Sequence, residues 1–133
     1  MANWFNGCSN LVSVNTKGLD TSNVTTMYYL FGGCNNLENV DVSHFDTSNV
    51  TDMRFMFAGC EKLEGLDVKR FDTSKVRLMY GMFSGCSTLT VLDLSAFDVT
   101  KVEDMNRMFD YCYNLTTIYC KDENTSGATN AKN

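Results

Sequence analysis

The side chains of this 133-residue sequence that could react or bind a metal are six cysteines, sixteen acidic residues and one histidine. Zinc sites take cysteines in pairs about two to four residues apart, and no such pair occurs in the sequence. A single histidine leaves no plausible Ser/His/Asp or Cys/His triad. The sequence therefore predicts no enzyme and no cofactor.

Five of the cysteines recur with a fixed spacing of 26 residues, at Cys8, Cys34, Cys60, Cys86 and Cys112. This spacing favours one small apolar thiol per repeat, stacked in the interior as structural core. Stacked strands lie about 4.8 Å apart and disulfides tolerate Cα separations of roughly 4.4–6.8 Å, so bridges between neighbours stay open as an alternative. Cys120 lies outside this column and is expected to be another core thiol.

A column of three carboxylates, Asp41, Asp67 and Asp93, faces outward from the predicted strands. Carboxylates about 5 Å apart repel one another unless something neutral, cationic or protonated lies between them, so the column is a candidate metal site. The preferred interpretation is that each aspartate bonds the backbone or neighbouring hydroxyls, or pairs with a lysine of the next column: Lys17, Lys69 or Lys121. A second acidic column precedes the predicted helices and is interpreted as helix caps: Asp20, Asp46, Asp72 and Asp98.

Aromatic side chains and arginines occupy the outward positions of the predicted helices. Because these residue types are enriched in binding hot spots, they form the candidate partner-binding surface. Its residues are Tyr28, Tyr29, Arg54, Phe55, Tyr80 and Arg107. The alternative is that the rings lean over the next repeat and cover its edge.

Two halves of each repeat must position these side chains. "LENVDVS" and "LTVLDLS" end in the apolar–polar alternation of a short strand. Val50, Met53, Met56 and Cys60 have helical spacing, and Gly59 suits the turn after a helix. Together these patterns predict an α/β repeat fold: a right-handed solenoid, similar to leucine-rich repeats, with one short parallel strand and one short helix in each 26-residue coil.

The predicted solenoid covers residues 1–121 in about five repeats, because the period is lost after them. Residues 122–133 are small and polar and are predicted to be disordered or a linker. A net charge of −5 argues against a nucleic-acid partner. No apolar run approaches the length of about 18 residues that a membrane span needs, and "MANWFNGC" lacks the features of a signal peptide.

Long stretches such as "VDVSHFDTSNVTDMRFMFAGC" and "LDLSAFDVTKVEDMNRMFDYC" resemble the repeat of the BspA-like leucine-rich repeat surface proteins of bacteria. The resemblance is to the 26-residue repeat type, found in mycoplasma-type surface lipoproteins, and covers residues 1 to about 121. It implies adhesion or partner recognition without catalytic residues, at the cell surface or secreted, as part of a longer protein.

The sequence and this resemblance together predict a non-catalytic recognition module that binds a protein or a glycan. One alternative is a structural spacer or a self-assembling repeat scaffold, since open ends of the repeat array allow a homo-oligomer. The other is a cation-dependent module that uses the aspartate column of Asp41, Asp67 and Asp93.

Overall fold

The structure, a computed structural model, describes residues 1–121 and contains four short strands in this range. They are β1 (Ser13–Val14), β2 (Asn39–Val40), β3 (Val91–Leu94) and β4 (Thr117–Cys120). β1 pairs with β2 and β3 pairs with β4, both in parallel, which gives two separate two-stranded sheets. The predicted disordered tail, residues 122–133, lies outside the described residues.

The predicted α/β solenoid with one helix and one strand per repeat is wrong. Residues 1–121 contain no helix, and the third repeat, which includes Cys60, contributes no strand. In the segment predicted as a helix, the amides of Met53, Phe55 and Phe57 donate to carbonyls of the next repeat at 2.9–3.0 Å. An α-helix needs these amides for carbonyls four residues earlier in the same segment.

Left-handed residues explain why the segment turns without forming a helix. Phe55 has a φ of 55° and Gly59 a φ of 72°, and such residues interrupt a right-handed helix. Around these two residues the chain closes successive turns, with the amide of Met56 donating to the Met53 carbonyl and that of Cys60 donating to the Phe57 carbonyl. Successive turns also place apolar side chains three or four residues apart, so the spacing alone did not distinguish them from a helix.

The repeats lie on one another in register, as the column of phenylalanines shows. Adjacent rings of Phe5, Phe31, Phe57, Phe83 and Phe109 stack with centroids 5.2–6.0 Å apart and planes within 10° of each other. Strand pairing has the same offset, since Ser13 pairs with Asn39 and Leu92 with Ile118. Burial of one apolar column after another therefore forms a single core along the stack.

Buried threonines join neighbouring repeats by hydrogen bonds in the segment that precedes the turns in each repeat. The hydroxyl of Thr47 donates to the carbonyl of Asp72 at 3.0 Å and accepts from the Asp72 amide at 2.8 Å. Thr73 makes the same pair of bonds with Asp98. Each of these threonines thus satisfies a backbone donor and a backbone acceptor of the following repeat.

No helix long and apolar enough to cross a membrane occurs in the described part of the chain.

Candidate functional site

Five of the six candidate partner-binding side chains form one contiguous group, here called the aromatic flank: Tyr28, Tyr29, Arg54, Phe55 and Tyr80. The rings of Tyr29 and Phe55 stack at 4.6 Å with planes 19° apart. Tyr28 meets Tyr29 edge to face at 4.8 Å, and Tyr80 meets Phe55 edge to face at 5.2 Å. All five side chains are partly exposed.

Arg54 is fixed in this flank by an ion pair and by a ring. Its Nε donates to Oδ1 of Asp52 at 3.0 Å, and its second guanidinium nitrogen donates to Oδ2 at 2.8 Å. The guanidinium carbon lies 5.0 Å from the centroid of Tyr28, at the distance of a cation–π contact. The hydrogen bonds to Asp52 raise the pKa of Arg54, so the flank carries a fixed positive charge beside a carboxylate.

Left-handed backbone and two small residues position the rings. Tyr29 and Phe55 have φ values of 51° and 55° and occupy equivalent places in successive repeats. A Cβ at Gly81 would lie 2.6 Å from the Phe55 ring, and one at Gly32 would lie 2.1 Å from the Tyr29 ring. The rings therefore lie where these glycines leave room, and burial raises the pKa of the Tyr29 hydroxyl. Sequence reasoning assigned neither glycine this role; their place beside a column of aromatics is the signal that could have indicated it.

Arg107 shares the left-handed conformation of Tyr29 and Phe55, with a φ of 57°. Its Nε lies 3.9 Å from a carboxylate oxygen of Asp110. The ring and ion-pair contacts that join the other five side chains do not include it.

The aspartates of the candidate metal column bond their own turns. Asp41 accepts from the amide of Ser43 at 3.0 Å and from its hydroxyl at 2.6 Å, which lowers the pKa of Asp41. Asp67 accepts from the amide of Lys69, and the Lys69 ammonium lies 3.5 Å from Asp93. Within residues 1–121, no group of three or more His, Cys, Asp or Glu side chains is arranged to hold a metal ion.

The second acidic column does not cap helices, because no helix follows it in the described residues. Asp46 instead accepts from the amide of Ser48 at 3.0 Å and from its hydroxyl at 2.6 Å, closing a turn of its own. The same hydrogen bonds lower the pKa of Asp46. The aspartate–serine spacing was thus a turn signal.

The structure leaves all six thiols free. Cys34, Cys60 and Cys86 are buried, Cys112 is partly buried, and Cys8 at the start of the column is exposed. The thiol of Cys60 donates to the Phe31 carbonyl at 3.3 Å, and burial raises the pKa of Cys34 and Cys112 to about 11. Cys120, expected in the core, is exposed.

Comparisons with known proteins identify a family for the chain. No curated protein and no solved structure matches it. A family described as "Mycoplasma protein of unknown function, DUF285" matches residues 1–132, which is almost the whole chain. The chain therefore belongs to the DUF285 family.

Proposed function

We propose that this chain is a non-catalytic recognition module, of the BspA-like adhesion type, which binds a protein or a glycan through the aromatic flank. The observation that carries this proposal is the contact of five candidate side chains from three successive repeats in one partly exposed group. Membership of a Mycoplasma family is compatible with the bacterial-surface role that the BspA-like resemblance implies.

The chemistry of the flank suits recognition because it combines ring surface, tyrosine hydroxyls and one oriented guanidinium. Tyrosine and arginine are enriched among interface residues whose truncation weakens binding most. Contacts among Tyr28, Tyr29 and Phe55, together with the bidentate Arg54–Asp52 pair, limit side-chain motion before a ligand arrives. Ordering the side chains on binding then costs less free energy than it would for mobile side chains.

A purely structural role for the flank is the competing interpretation. The stacking of Tyr29 on Phe55 covers one face of each ring, and the ring of Phe55 lies against Gly81 in the next repeat. Side chains that only seal the edges of the repeats would contribute to stability and not to binding. The two roles therefore differ in which measurement a substitution changes.

Binding to a panel of purified glycoproteins, measured on a sensor surface before and after enzymatic removal of their glycans, tests the proposal. For a panel member that binds, the variant Tyr28→Ala/Tyr80→Ala is expected to lose about 30-fold or more in affinity, equivalent to about 2 kcal/mol. Loss of binding after glycan removal would assign the ligand to glycan, and retained binding would assign it to protein.

The matched control is Tyr113→Ala/Tyr119→Ala, which removes two exposed tyrosines outside the flank. This control is expected to bind like the wild type. A panel without any binder, or equal affinities for the two double variants, would contradict the proposal. Repeating the measurement with EDTA separates the cation-dependent alternative, which requires binding to be lost on chelation.

A further inference from the structure

Apolar columns that are fully buried in the middle repeats are partly uncovered at both ends of the described stack. Trp4 is 58% exposed, whereas Leu30, Met56 and Met82 of the same column are 0% exposed. We call the uncovered side chains of the first repeat the first end face: Met1, Trp4, Phe5, Leu11 and Val14. The last end face consists of the partly buried apolar side chains of the fifth repeat: Met105, Cys112, Leu115 and Ile118. Met108 and Phe109 of the same repeat are buried, at 1% and 6% exposure.

The backbone hydrogen bonds between repeats have a fixed direction in each segment. Just before the turn segments, the amides of Thr51, Arg77 and Glu103 donate to the preceding repeat, whereas in the turn segments the direction is reversed. At the junction of the second and third repeats, the amides of Met27, Tyr29, Phe31 and Gly33 all donate to carbonyls of the following repeat at 2.7–3.1 Å. The junctions that follow repeat this pattern. Among residues 1–121, the equivalent amides of the fifth repeat have no acceptor: Met105, Arg107, Phe109 and Tyr111. At the other end, the equivalent carbonyls of the first repeat accept no hydrogen bond from the residues that the structure describes: Ala2, Trp4 and Asn6.

We propose that a second copy of this chain stacks head to tail, with its first end face on the last end face of the first copy. The joint would continue the interface that already exists between repeats, since the same columns meet in the same order. Trp4 of the second copy would follow Met108 in its column, and the Cys8 thiol would reach the Phe109 carbonyl, as the Cys34 thiol reaches the Phe5 carbonyl at 3.1 Å. This goes beyond the proposed recognition function and leaves the aromatic flank on the side of the stack.

The direction of the hydrogen bonds determines the symmetry of the assembly. Only the head-to-tail arrangement repeats both directions of hydrogen bonding in the register found between repeats, and such a heterologous contact leaves one open face on each side. Association is therefore expected to continue beyond a dimer as the protein concentration rises.

Sedimentation velocity of the full 133-residue chain under reducing conditions, from low micromolar to near-millimolar concentration, is the first test. The weight-average mass is expected to rise above the monomer value of 14.9 kDa with concentration. A monomer at every concentration would overturn the proposal. A last end face covered by residues 122–133 of the same chain would give that result.

A matched pair of variants tests which surface is responsible. Trp4→Asp places a charge on the first end face. Tyr119→Asp is the control, because Tyr119 is nearly as exposed as Trp4, at 57%. Tyr119 belongs to the outward column that already contains Asp41, Asp67 and Asp93. Trp4→Asp is expected to remain monomeric and Tyr119→Asp to associate like the wild type. Equal behaviour of the two variants would overturn the assignment.

Mixing tests the polarity directly. The Trp4→Asp chain still offers an intact last end face, so an excess of it should terminate wild-type assemblies and lower their mass. A symmetric contact between first end faces would leave the wild-type mass unchanged by the variant, which would overturn the head-to-tail arrangement.

Thiol labelling gives a second readout that does not depend on size. In a Cys120→Ser background, Cys8 is the one cysteine classed as exposed among residues 1–121. Its labelling rate is expected to fall as concentration rises, because the joint buries it as Cys34 is buried. A rate independent of concentration would overturn the proposal. Because neither Trp4 nor Cys8 belongs to the aromatic flank, ligand binding by the Trp4→Asp monomer distinguishes failure of this proposal from failure of the recognition function.

Discussion

At the scale of single residues, the buried thiols are groups that the fold holds in the neutral state. Cys34 is fully buried, and its desolvation raises its pKa to about 11, whereas an unfolded cysteine titrates near about 8.5. The neutral thiol therefore contributes stability in full below the unfolded pKa. That contribution is lost as pH rises towards the folded pKa, because the unfolded chain releases its proton first.

We expect the free energy of unfolding of the wild type to fall from about pH 8.5 towards pH 11, with part of the fall due to Cys34. Urea unfolding at several pH values, followed by circular dichroism under reducing conditions, measures this. The Cys34→Ala variant is expected to lose less stability over the same range, because tyrosine and lysine titration is common to both proteins. Parallel pH profiles for the two proteins would contradict the prediction.

Removal of the buried Thr47 hydroxyl tests the contact between repeats most directly. Thr47→Val keeps the shape of the side chain but leaves the Asp72 amide and carbonyl without their partner. We expect a loss of about 1–3 kcal/mol in the free energy of unfolding, measured by urea denaturation. Thr25→Val, at an exposed threonine, is the control and should stay within about 0.5 kcal/mol of the wild type. Similar losses in both variants would contradict the role given to Thr47.

At the scale of elements, a left-handed glycine ends the turn segment in the first four repeats, at the place where the end of a helix was predicted. Gly85 has a φ of 79°, and a Cβ added there would lie 3.2 Å from the Gly59 amide nitrogen of the preceding repeat. Gly85→Ala is therefore expected to lower the free energy of unfolding by about 1–2 kcal/mol or more. Thermal or urea unfolding measures the difference.

Gly18→Ala is the matched control for that substitution, because an added Cβ there meets no atom within 4 Å. It is expected to be neutral or to stabilise the protein by up to about 1 kcal/mol, since alanine reduces the freedom of the unfolded chain. Equal losses at the two glycines would show that the turn at Gly85 is not specially constrained. Tyr111 occupies the same place in the fifth repeat and is also left-handed, with a φ of 59°.

Side-chain spacing indicated which residues share a column, but it did not determine the backbone between them. The 26-residue period aligns Phe31, Phe57 and Phe83, whose rings stack in the structure. The helix prediction failed because apolar residues three or four apart fit successive turns equally well once left-handed residues intervene. Gly59 fits the turn after a helix, but the same left-handed conformation also ends a turn within every repeat.

Strand prediction failed in the third repeat for a local reason. Its "LEGLDVK" segment places Gly65 where β2 has Asn39 and β3 has Val91. Glycine has no side chain to pack and weakens a strand. The flank was easier to predict, because the period places Tyr28, Arg54 and Tyr80 in one column; the space left by Gly32 and Gly81 required the structure.

At the scale of the whole molecule, stability should vary along the stack, because the middle repeats are covered on both sides and the end repeats on one. We expect the amides of Met53, Phe55 and Phe57 to exchange with deuterium most slowly. Each donates to a carbonyl of the next repeat, and the core side chains of this repeat are fully buried. The amides of Arg107 and Phe109, which have no acceptor within residues 1–121, should exchange much faster. Hydrogen exchange read by NMR at low protein concentration measures both sets. Uniform protection along the stack would mean that the repeats unfold as one unit, whereas protection of Arg107 and Phe109 that grows with concentration is the result that head-to-tail stacking requires.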